Sequence, residues 1–142
     1  MSKLKESMIL PKGLFVCIEN SCRSQMAEGF ARKLGGQVLE VWSAGSKPSG
    51  KINETAIAVM KEKGIDLARQ SSKGLTDLPQ ATWDYVITMG CGDACPHLPA
   101  KKRLDWVFPD PKNLPLEEFR EVRDAIEDKV RDLIDEICRQ AA

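Results

Sequence analysis

Leu14-Phe15-Val16-Cys17-Ile18 is an unbroken apolar run, and within a few residues the chain changes to helical spacing. A short run without polar alternation fits a strand buried on both faces. From Arg23 onward, Met26, Ala27, Phe30, Ala31 and Leu34 recur at intervals of three and four, and Gly35-Gly36 ends the pattern. A buried strand feeding directly into an amphipathic helix opens a βα unit. That pairing confines the chain to folds built on a parallel sheet with both faces covered.

The alternation continues. Residues 38–42 read as a second strand running into Ser43-Ala44-Gly45, residues 83–89 as a third and residues 104–108 as a fourth. Asn53 is placed to cap a helix with Ala56, Ile57, Val59 and Met60 as its buried stripe and Gly64 as its stop. A short helix is expected near Leu75–Leu78. After Pro115, the residues Leu116, Phe119, Val122, Ile126, Val130, Leu133, Ile134 and Ile137 mark one long helix. The fold class expected is α/β: one domain, four parallel strands, flanking helices.

At 142 residues the chain has room for one such domain. Residues 1–11 have too short an apolar run for a secretory segment, so they read as a flexible extension to a domain at 12–142. No stretch approaches the roughly 18 apolar residues of a membrane span. The expectation is a cytoplasmic monomer that binds neither membrane nor nucleic acid. Lys+Arg and Asp+Glu both number 21, which removes the polybasic class. Five cysteines, an odd count, fit working thiols better than a disulfide scaffold.

In such sheets ligands bind beyond the carboxyl ends of the strands, where residues 17–24, 90–97 and 105–111 fall. Cys17-Ile18-Glu19-Asn20-Ser21-Cys22-Arg23-Ser24 spells C-x5-R-S between the first strand and its helix. A loop in that place aims successive backbone N–H groups inward, and the helix N-terminus adds positive potential. Arg23 can fork two oxygens of a tetrahedral oxyanion. The same field favours a thiolate at Cys17, with Ser24 as a hydroxyl donor. Asn20 is expected to hold the loop by side-chain hydrogen bonds. Asn20, Ser21, Cys22, Arg23 and Ser24 are therefore the oxyanion-binding candidates.

This loop, with Gln25-Met26-Ala27-Glu28-Gly29-Phe30, resembles that of the low-molecular-weight protein tyrosine phosphatase superfamily, and within it that of the arsenate reductases. The likeness extends through Ser43-Ala44-Gly45, Gly64-Ile65-Asp66-Leu67, Val86-Ile87-Thr88-Met89 and Asp110-Pro111, or about residues 13–138. It implies a flavodoxin-like sheet, Cys17 as nucleophile, Arg23 as oxyanion ligand and Asp110 as general acid, ahead of its rival Asp105.

A phosphatase needs no further thiol, but this chain has Cys91 and Cys95 in Gly90-Cys91-Gly92-Asp93-Ala94-Cys95-Pro96. The resemblance implies that Cys17 attacks arsenate and that Cys91 then attacks Cys17, releasing arsenite. Cys95 is expected to take the oxidation outward as a Cys91–Cys95 disulfide that an external reductant can reach. The gap between these two cysteines is shorter than in thioredoxin-coupled relatives, so the reductant stays open between thioredoxin and glutathione–glutaredoxin. No bound cofactor is expected, and phosphate is expected to compete with arsenate.

The alternative is a phosphatase of the same superfamily acting on phosphotyrosine or small phosphomonoesters. Such enzymes typically carry Pro after Arg-Ser and an aromatic after Asp-Pro, where this chain has Gln25 and Lys112. Glu19 also departs from many relatives, and its carboxylate is expected to point to solvent. Lys73 stands where some relatives have an acidic potassium ligand, and its ammonium can take over that role, so no metal is assigned. Cys91, Cys95 and His97 lack a fourth zinc ligand at a recognisable spacing. Cys22 has no chemical step, Cys138 reads as a packing residue, and Lys101-Lys102-Arg103 reads as solvated surface.

Overall fold

The computed structural model describes residues 9–79, 82–90 and 98–141. Strands β1 (Lys12–Cys17), β2 (Glu40–Gly45), β3 (Trp83–Thr88) and β4 (Ala100–Asp105) form one sheet. All pairings are parallel and the spatial order is β2-β1-β3-β4. The chain leaves β1 toward one edge to form β2 and returns to the other side for β3. That reversal opens a crevice at the carboxyl ends of β1 and β3, where open α/β sheets bind ligands.

Alternation along β1 divides the core. Phe15 and Cys17 belong to the larger cluster, with Met26, Phe30, Met60, Phe119 and Ile126. Leu14 and Val16 belong to the smaller one, with Ala44, Trp83 and Val86. Helices α1 (Arg23–Gly35), α2 (Glu54–Lys61) and α3 (Leu116–Ala141) all contribute to the first cluster. Among the described residues the second face is covered instead by Trp42, Leu75, Leu78 and Leu98. The expected helix near Leu75 is a single 3-10 turn, Leu75–Asp77.

Helix α2 begins as the sequence predicts, with the Ala56 N–H donating to Asn53 Oδ1 at 3.0 Å. In α3, Phe119, Val122, Ile126, Val130, Leu133, Ile134 and Ile137 are all buried, each worth about 1.5–3 kcal/mol over exposure. A buried Arg123 ties the two helices together, its Nη1 donating to the Val59 carbonyl at 2.9 Å and to Glu62 at 2.6 Å. Arg120 grips the same carboxylate at 2.8 Å.

Three expectations are corrected. The fourth strand is Ala100–Asp105, not 104–108, so the basic run lies within it with Lys101, Lys102 and Arg103 exposed. β4 is an edge strand, where lysines are tolerated and discourage pairing with another chain. The aromatics beyond it leave the ladder and bury their rings, with Trp106 centred 5.8 Å from Phe15 and 6.4 Å from Phe108. Cys138 is exposed because Ile134 and Ile137 fill the inward stripe and position 138 turns past it. Leu116, in the first turn of α3, is likewise exposed. Among the described residues no helix is long and apolar enough to cross a membrane.

Candidate active site

β1 delivers Cys17 to the crevice and α1 begins six residues later at Arg23. The turn between them depends on Asn20, whose φ of 52° lies in the left-handed region that Asn enters more readily than most residues. That conformation brings the Asn20 backbone N–H to Cys17 Sγ at 3.2 Å. Ser24 Oγ, on the second residue of the helix, lies 2.8 Å from the same sulfur. Among the described residues no side chain caps α1, and no acidic residue stands in its first turn, so its positive end is left for a ligand.

The Asn20 side chain holds the loop as expected. Its Nδ2 donates to Ser24 Oγ at 2.7 Å and to Ser43 Oγ at 3.0 Å. Its Oδ1 accepts from the Lys73 backbone N–H at 2.9 Å and from Gln25 Nε2 at 2.9 Å. Sequence reasoning missed what stands behind it. Ser43 donates to the buried carboxylate of Glu28, which pairs with Arg32 at 2.7 Å and lies 3.9 Å from Lys73 Nζ. Gln25, which follows Arg-Ser where such phosphatases typically carry Pro, also donates to the Ser71 carbonyl at 2.9 Å and accepts from Gln70 at 2.7 Å. The signal available was polarity at inward positions: Ser43 on a buried strand and Glu28 beside Ala27. Cutting one such bond and stranding its buried partner costs roughly 1–3 kcal/mol.

Arg23 is buried, and its Nη1 donates to the Phe108 carbonyl at 3.2 Å. Its Nη2 lies 3.9 Å from Asp110 Oδ2. The other Asp110 oxygen accepts from the Lys112 N–H at 3.1 Å, at the start of the 3-10 turn Pro111–Asn113. Asp105 faces elsewhere and accepts from Thr88 Oγ1 at 2.7 Å. Gly90 leaves β3 with φ 85°, and a Cβ there would stand 2.7 Å from Arg23 Nη1. Cys91, Cys95 and His97 lie outside the described residues.

Together Cys17, Ile18, Glu19, Ser21, Cys22, Arg23 and Asp110 line a cavity of about 70 Å³. It is far below the roughly 300–1,000 Å³ of pockets that take drug-sized ligands. Wider grooves of about 860 and 490 Å³ open against Ile9 and Leu10, and among the described residues no cysteine lines either. Burial pushes the Cys22 thiol up to about 11, which keeps it protonated at neutral pH. Glu19 is partly exposed at the rim, as expected, but its carboxylate is paired with Lys112. A buried thiol, free amide donors, a buried guanidinium and a nearby carboxyl make a site for nucleophilic attack on a small tetrahedral oxyanion.

The family model for low molecular weight phosphotyrosine protein phosphatase matches residues 12–142. The chain belongs to this family. Among its relatives is the glutaredoxin arsenate reductase of Synechocystis sp., 41% identical over 131 residues, covering 90% of this chain and 99% of the relative. A solved arsenate reductase in the phosphate-binding state superposes with a TM-score of 0.80 at 41% identity, covering 90% of this chain and 99% of its own. The thioredoxin-dependent arsenate reductase of Corynebacterium glutamicum gives 0.78 at 33% identity, covering 98% of this chain and 67% of its own.

Proposed function

We propose that this protein is an arsenate reductase that works through a thiol relay. The Cys17 thiolate attacks arsenic, with three arsenate oxygens held by Arg23 and the backbone N–H groups of residues 20–24. Asp110 protonates the fourth oxygen, which leaves as water while a sulfur–arsenic bond forms. Cys91 then attacks Cys17 Sγ. The sulfur–arsenic bond breaks toward arsenic, whose gain of two electrons gives arsenite, and a Cys17–Cys91 disulfide remains. Cys95 attacks Cys91 and frees Cys17. An external thiol of the thioredoxin or glutaredoxin type reduces the final disulfide.

The observation that carries this reading is the approach of Asp110 Oδ2 to Arg23 Nη2, 3.9 Å, over a cavity of about 70 Å³ with Cys17 in its wall. An inorganic oxyanion is commensurate with that space, and among the described residues no aromatic side chain lines it to hold a phosphotyrosyl ring. The named activities of the Synechocystis and Corynebacterium relatives support the same chemistry, and their different reductants frame the donor question.

The test supplies arsenate with thioredoxin, its reductase and NADPH in one arm, and glutathione with glutaredoxin in the other, and follows arsenite. Production in either arm, abolished by Cys17→Ser, is the expected result. Absence of arsenite in both arms, or its persistence in Cys17→Ser, contradicts the proposal.

A further inference from the structure

The relay chemistry makes no use of Glu19, although it sits in the oxyanion loop two residues after the nucleophile. A carboxylate there repels the anion the loop is built to hold. Lys112, two residues beyond the acid, meets it: Nζ lies 3.1 Å from Oε1 and 3.2 Å from Oε2 of Glu19. The pair joins segments 93 residues apart in the chain. Its side chains are 47% and 38% exposed, whereas that of Arg23 is 8% exposed, so the contact lies at the rim of the cavity and not in its floor. The hydrogen bond to Glu19 also raises the Lys112 ammonium above its usual range, which keeps it charged.

Lys112 thus acts in two directions. Its backbone N–H holds Asp110 Oδ1 at 3.1 Å and its side chain holds the oxyanion loop. With three oxygens of a tetrahedral ion turned to the loop amides and Arg23, the fourth substituent points out past this rim. For arsenate or phosphate that substituent is an oxygen; for a monoester it carries the organic group.

We propose that the Glu19–Lys112 pair is a specificity clasp: it holds the Asp110 segment against the oxyanion loop, so that the cavity admits a bare tetrahedral oxyanion and disfavours its aryl and alkyl monoesters. This rests on the reading of the cavity as an oxyanion site and adds to it the residues that set its substrate class.

The experiment measures how well inorganic phosphate and phenyl phosphate protect Cys17 of the reduced protein from iodoacetamide, read on the Cys17 peptide by mass spectrometry. In the unaltered protein phosphate protects at lower concentration than phenyl phosphate. Lys112→Ala and Glu19→Gln each shift the ratio of the two protecting concentrations toward phenyl phosphate by roughly three- to five-fold, the bias an exposed ion pair can exert. The double exchange Glu19→Lys with Lys112→Glu restores the ratio. In 1 M NaCl, where the screening length is about 3 Å, the unaltered protein shifts in the same direction as the single variants. If phosphate protects throughout but neither the variants nor salt moves the ratio by two-fold, the clasp is refuted and the oxyanion site stands. If phosphate fails to protect the unaltered protein, the oxyanion site falls and the clasp with it.

Discussion

Gly90 packs against Arg23 so closely that a methyl group on its Cα would stand 2.7 Å from Nη1. The residue before Cys91 is therefore part of the wall that positions the guanidinium. Gly90→Ala should push Arg23 off the Phe108 carbonyl and force an unfavourable positive φ, at a cost of about 1–2 kcal/mol. The expected outcome is an apparent KM for arsenate raised about ten-fold or more, with a lowered Tm, measured by steady-state kinetics and thermal unfolding. An unchanged KM would show that Arg23 tolerates displacement.

Asn20 combines a left-handed backbone with four side-chain hydrogen bonds, and two substitutions separate these contributions. Asn20→Gly keeps the φ and loses the bonds; Asn20→Ala loses both. Both variants should be destabilised, Asn20→Ala by roughly a further 1 kcal/mol, which denaturant unfolding can resolve. Equal stabilities would mean that the loop relaxes out of the left-handed conformation.

Cys22 lines the same cavity as Cys17 but has a thiol raised to about 11 by burial. Its alkylation by iodoacetamide at pH 7–8 should be slow and should rise about ten-fold per pH unit toward pH 11. Peptide mass spectrometry of a pH series measures this directly. A plateau at neutral pH would contradict the burial argument.

Glu62 carries the clearest acid sensitivity. Hydrogen bonds from Arg120 first, then Arg123, lower its carboxyl from 4.5 to about 2. The folded-state value lies below the unfolded one, so its stabilisation is complete above about pH 4.5 and is lost as pH falls toward 2. Glu62→Gln should therefore lower stability at pH 7 and flatten the pH dependence between those limits. Chemical denaturation at several pH values compares the slopes, and parallel slopes would remove Glu62 as the cause.

The sheet was legible because Leu14–Ile18 lacks alternation and because Asn53 and Gly64 bracket α2 with capping chemistry that acts locally. The oxyanion loop was legible because its function needs an amide cradle at a strand–helix junction, which leaves a short contiguous mark. β4 was misplaced because apolar content selected Trp106 and Phe108, whereas an edge strand is set by pairing with β3 and accepts Lys101-Lys102-Arg103. Glu28 and Ser43 escaped because their partners are distant in sequence. Nothing near Glu28 announces that Ser43 will donate to it from fifteen residues away. The Glu19–Lys112 contact is the extreme case, made where the segment after β4 lies against the first loop of the sheet.

In the proposed relay, the electrons for arsenate reduction come from the protein's own thiols. Reduced protein is mixed with one equivalent of arsenate and no external reductant, and arsenite and free thiols are counted after one turnover. The expected result is about one arsenite and the loss of two thiols per chain, with the disulfide confined to Cys17, Cys91 and Cys95. No arsenite, or arsenite formed with all thiols still free, would contradict it.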